Sequence, residues 1–97
     1  MTAIDLYKKG FKSRGIMTEK EVEDAEREYP EETPYQIIER VIRGKIATET
    51  SNMRLYTLNS ILMYAVSPQK DAKKTAALKA EIERLDPLYW EEFCKNR

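Results

Sequence analysis

Apolar residues recur along this chain every three or four positions, and no stretch shows the sustained alternation of a strand. That spacing is the mark of helices with one buried face. Ile4, Tyr7 and Phe11, with Ala3 and Leu6 beside them, predict a first helix over about 3–13, ended near Gly15. Val22, Ala25 and Tyr29 form a narrow stripe over about 19–29, ended by Pro30. Ile37, Ile38, Val41 and Ile42 form a wider one over about 34–43, and Ile46 and Ala47 keep its spacing past Gly44. A fourth helix over about 51–66 carries Leu55, Leu58, Ile61, Leu62 and Val66, with Met53, Met63 and Tyr64 on other faces. Being apolar nearly all round, it is expected at the centre of the fold. Leu78, Ile82 and Leu85 form one seam on a fifth helix over about 68–85, and Leu88, Tyr89, Trp90 and Phe93 crowd a sixth over about 87–95.

The polar residues between these stretches read as helix starts. Thr18 with Glu21 and Thr33 with Gln36 have the spacing of a capping box, in which the threonine hydroxyl accepts from a free backbone N–H and the later side chain reaches back. Thr2 with Asp5 fits the same pattern. Thr33-Pro34, Ser67-Pro68 and Asp86-Pro87 place proline where the first helical turn tolerates it, because its missing N–H has no partner there anyway. The expected fold is an all-α, single-domain bundle of five or six short helices over 1–97, built around the helix near 51–66.

Composition narrows the function more by what it lacks. The 97 residues contain no His and one Cys. No imidazole base, no Cys-His or Ser-His nucleophile and no thiolate metal cage can be assembled from them. The reading is therefore of a protein that is not an enzyme and needs no cofactor or metal. Its longest apolar run, Ile61 to Val66, falls far short of the roughly 20 residues of a membrane helix. With no basic-then-apolar leader pattern and no disulfide pair, a cytoplasmic location without membrane contact is expected.

Seventeen acidic and seventeen basic side chains cancel, but unevenly along the chain. Residues 1–20 are basic, and the carboxylates cluster between Glu19 and Glu32. Glu23, Glu26, Glu28 and Glu31 are candidates for an acidic strip that docks a basic partner. Tyr89, Trp90 and Phe93 are candidate anchors, because three rings on one short helix cannot all face inward and aromatic side chains dominate interfaces. Cys94 beside them is expected as a small buried group. Gly10 and Gly15 have the spacing of a phosphate-binding loop, but the Lys-Ser/Thr that should follow is absent. The stretch from Lys9 through Gly15 and Thr18 to Glu21 resembles the helix, glycine, apolar pair and Thr-capped helix of short helical hairpins such as SHOCT domains. That resemblance is confined to this stretch and assigns no family.

The leading expectation is a non-enzymatic interaction module: a small adaptor, assembly factor or inhibitor that docks on a larger protein. On size alone, a phage or mobile-element origin fits such a chain. The alternative is a DNA- or RNA-binding regulator. It would use the helix near 51–66 as a recognition helix after 35–45, with Arg40, Arg43, Lys45, Asn52 and Arg54 contacting nucleic acid and Thr57, Asn59 and Ser60 in support. A zero net charge weakens the electrostatic attraction on which that alternative depends.

Overall fold

Three threonines open the first three helices by the same local chemistry. In the computed structural model, which describes residues 1–95, Thr2 caps α1 (Ala3–Gly10), Thr18 caps α2 (Glu19–Glu28) and Thr33 caps α3 (Pro34–Thr48). At each, the threonine hydroxyl accepts from the backbone N–H three residues on, and Asp5, Glu21 or Gln36 accepts from the threonine's own N–H at 3.1, 2.8 and 2.9 Å. The fourth helix, α4 (Asn52–Val66), begins at Ser51, whose hydroxyl accepts from Arg54 N–H. Asp71 opens α5 (Ala72–Lys95), its carboxylate accepting from Lys74 N–H at 3.0 Å.

Termination differs from the expectation in three places. Helix α1 stops at Gly10, and a tight 3-10 turn over Lys12–Arg14 carries the chain to Gly15. At φ +72° Gly15 takes the left-handed conformation that suits a residue without Cβ. Helix α3 extends beyond 34–43, running past Gly44 to Thr48 in step with the spacing of Ile46 and Ala47. The pair Ser67-Pro68 closes α4 rather than opening α5. Pro68 has no N–H to continue the ladder, so the chain tightens into a 3-10 turn over Ser67–Gln69 and reverses at Lys70, φ +56°.

The two helices expected over 68–85 and 87–95 are one continuous helix, so the described residues form five α-helices and no strand. Pro87 lies inside α5 and faces solvent. Leu78, Ile82, Leu85, Tyr89 and Glu92 recur at intervals of four and three on the opposite face, where α5 lies along α4. Packing along that seam outweighs the hydrogen bond that Pro87 cannot donate.

Helix α4 packs between α3 and α5, as its nearly all-round apolarity predicts, and α1 and α2 pack on α3 and on each other. Ile37, Ile38, Ile42, Leu62, Ala65 and Val66 are almost wholly buried at the centre, each larger side chain contributing roughly 1.5–3 kcal/mol by its removal from water. Phe11 and Met17, on the connection between α1 and α2, complete the core beside Val22. The Tyr7 hydroxyl donates to the Met17 carbonyl at 3.2 Å, which fixes that connection over the core.

No helix among the described residues is long and apolar enough to cross a membrane.

Candidate partner-binding surface

One carboxylate sets the geometry at the far end of the α4–α5 pair. Glu92 on α5 reaches the start of α4, accepting from the Ser51 hydroxyl and from the backbone N–H groups of Asn52 and Met53 at 3.2 and 3.0 Å. Helix N-termini leave such donors without partners in their own helix and carry partial positive charge, so an ionised carboxylate is favoured there. The hydrogen bond from Ser51, with those from Met53 and Asn52, holds the Glu92 carboxyl below its usual range. This clasp joins residues about forty positions apart and fixes the antiparallel register of the two helices.

The clasp places a run of rings. Tyr56 of α4 lies 5.1 Å from Tyr89, centroid to centroid, and Tyr89 lies 5.1 Å from Trp90 in an edge-to-face arrangement. Trp90 in turn meets Phe93 edge-to-face at 5.7 Å. Spacings and tilts of this kind are favourable between aromatic quadrupoles, so the rings hold one another in place. Tyr56 and Tyr89 are half-buried, whereas Trp90 is 55% and Phe93 39% exposed. Cys94, expected inside, is exposed. It lies two positions past Glu92, which turns it to the side of α5 away from α4.

The acidic strip divides into two groups. Glu26 is half-buried, and its carboxylate accepts from Ala3 N–H at 2.9 Å, so it caps α1 from α2. Glu21 and Glu32 face α3, bonded to Lys45 and Arg40. For Glu21, desolvation pushes the carboxyl upward, but the bonds from Lys45 and Thr18 outweigh it and leave the group below its ordinary value. Glu23, Glu28 and Glu31 are exposed and accept no hydrogen bond among the described residues. They remain the part of the strip open to a partner.

Each cation named for nucleic-acid contact faces a carboxylate of the chain. Arg40 makes a two-pronged bond to Glu32 at 2.8 and 2.9 Å and lies 3.6 Å over the Tyr29 ring. Arg43 bonds Glu39 at 2.7 Å, Lys45 bonds Glu21, and Arg54 lies 3.8 Å from Glu49. Asn52 is tied through its backbone to Glu92. Asn59, counted among the outward-reaching polar residues, is buried and donates to the Leu55 carbonyl at 2.8 Å. It occupies an inward position of α4, one place after Leu58.

Two carboxylates with structural roles escape the periodicity argument. Glu92 is one. The other is Glu39, buried on α3, whose oxygens accept from Arg43, from Gln69 at 2.8 Å and from Lys74 at 3.0 Å. Desolvation pushes the Glu39 carboxyl upward, and the three donors more than reverse it, leaving it below the ordinary value. The signal in the sequence was a glutamate beside Ile38 and three places before Ile42, on the inward side of α3. Among the described residues, no group of three or more acidic or thiol side chains is arranged to hold a metal ion. No protein-family model, curated protein or solved structure matches the chain.

Proposed function

We propose that the protein is a non-enzymatic interaction module that docks on a larger protein through the aromatic end of the α4–α5 pair. The observation that carries this reading is the run Tyr56, Tyr89, Trp90 and Phe93, anchored at its inner end and open to solvent at its outer end. Rings pre-positioned by their neighbours lose little freedom on binding, and Trp and Tyr are the usual anchors of protein interfaces. The exposed carboxylates Glu23, Glu28 and Glu31 would act differently, steering a basic partner towards contact before it docks.

Binding kinetics with the native partner separate the two contributions. Trp90→Ala is expected to leave helical content intact and to speed dissociation at least tenfold, the effect of losing an anchor worth about 2 kcal/mol. Glu23→Lys with Glu28→Lys is expected to slow association, most strongly at low salt, with dissociation nearly unchanged. A folded Trp90→Ala variant with an unchanged complex lifetime would remove this end of the molecule from the interface.

A further inference from the structure

A second surface lies where the turn after α1 meets the outer side of α4. Leu6, Lys9, Gly10, Arg14, Tyr35 and Tyr64 border a groove of about 320 Å³ floored by Phe11. Four other grooves of the molecule each set at least one carboxylate against their cations: Glu49 in one, Glu32 and Glu39 in the next, Glu21 in the third and Asp71 in the fourth. This groove has cations and tyrosines on its walls and no carboxylate.

Its charge is also uncompensated nearby. Lys9, Lys12 and Arg14 are exposed and make no ion pair among the described residues, whereas the neighbouring Lys8 is engaged by Glu19 at 3.2 Å. The Arg14 side chain is held by the Gly10 carbonyl, and its guanidinium lies 4.3 Å over the Tyr64 ring. Tyr64 is 59% exposed, an unusual position for a large ring on the central helix of so small a fold.

We propose that this groove binds single-stranded nucleic acid, with one base stacked at Tyr64 and the flanking phosphates on Lys9 and Arg14 of its wall and on Lys12 of the adjoining turn. Every base has a π-face, so stacking on an exposed ring works without reading sequence, and unpaired cations beside the ring supply the attraction to the backbone. A duplex hides its base faces and gains nothing from Tyr64. The site is separate from the aromatic end of α4–α5 and does not depend on it. It also differs from the α4 surface expected from the sequence, whose cations are matched by carboxylates.

The test is fluorescence anisotropy of a labelled oligothymidylate titrated with the full chain. Three phosphate contacts imply that affinity falls about 100-fold between roughly 20 and 200 mM salt, since each contact to a single strand contributes a slope of about 0.7. Tyr64→Ala is expected to weaken binding fivefold or more with the circular dichroism spectrum unchanged. Lys9→Glu with Lys12→Glu, on side chains that support no other contact, is expected to weaken binding and flatten the salt dependence. Arg84→Glu, on α5 and outside the groove, is expected to leave both unchanged. The proposal is overturned by absence of binding at 20 mM salt, or by equal affinity for a duplex of the same length. Binding that survives Tyr64→Ala, or that the lysine pair leaves intact, overturns it equally.

Discussion

Glu39 shows how one side chain can be both a poor fit to its pattern and a support of the fold. It is buried between α3, the turn after α4 and the first turn of α5, and three donors converge on it: Arg43, Gln69 and Lys74. Burial alone would make an ionised carboxylate costly, but hydrogen bonds to a charged group are the strong ones. Glu39→Ala would take one acceptor from each of Arg43, Gln69 and Lys74, leaving Gln69 its bond to the Ala65 carbonyl and Lys74 its bond to Gln69. We expect this substitution to lower unfolding free energy by about 2 kcal/mol in urea titrations. Glu92 makes the same argument through acidity. Its carboxyl is held below the ordinary value of 4.5 in the folded chain, so the unfolded chain takes up the proton first as pH falls. The stabilisation it gives is therefore present above the ordinary carboxylate range and lost as pH drops through the lower, folded-state value. Glu92→Gln should be less stable than the parent at neutral pH, and the gap should narrow as pH falls below the ordinary carboxylate range and through the lowered, folded-state value. A gap that stays constant with pH would mean that the charge of Glu92 does not contribute.

At the scale of helices, what can be read from the chain depends on how far apart the deciding groups lie. A capping box is complete within four residues, which is why Thr2, Thr18 and Thr33 mark their helices without reference to anything else. The apolar stripes of α3 and α4 are likewise local, and they place Ile38, Ile42, Leu62 and Val66 inside. Whether a proline opens a helix or sits within one is not local. Pro87 is tolerated because Leu85 and Tyr89, on either side of it, are already held against α4. The clasp of Glu92 is made with residues 39 to 41 positions away, and the Glu39 bonds to Gln69 and Lys74 span 30 and 35. No period in the sequence encodes those pairings. The exposure of Trp90 and Phe93 was legible for a simpler reason, namely that adjacent rings on one helix cannot share one inward face. The Tyr64 groove was not, because Tyr64 lies some fifty residues along the chain from the cations beside it. Gly44 offers a direct test of how α3 runs. It lies inside the helix, and a Cβ added there meets nothing within 4 Å. Gly44→Ala should raise stability by about 1 kcal/mol, the ordinary penalty of glycine in a helix interior. A loss instead would mean that α3 requires a break at that point.

The whole molecule is longer than its size demands. Its radius of gyration is 14.0 Å, against about 12.5 Å for a compact chain of this length, and its axes measure 42 × 28 × 21 Å. Helix α5 accounts for much of the long axis, since 24 residues rise about 36 Å, whereas the 15 residues of α4 rise about 22 Å. The main cluster of buried residues draws on all five helices but reaches only as far as Leu78 and Ile82 along α5. Leu58 and Leu85 are buried yet lie outside it, towards the clasp and the rings. An element that rests on a single neighbour has fewer buried contacts to break and opens at lower free energy than the core. Native-state hydrogen exchange should therefore find the amides of 86–95 opening more readily than those of α3. Leu85→Ala, which removes a fully buried side chain at a typical cost of 2–5 kcal/mol, should speed exchange chiefly at the start of α4 and the end of α5. Leu62→Ala, at the centre of the main cluster, should speed it in every helix. If Leu85→Ala speeds exchange in α1 to α3 as much as Leu62→Ala does, core and aromatic end unfold as one unit. The end of α5 would then hold its rings as rigidly as the core holds Ile38.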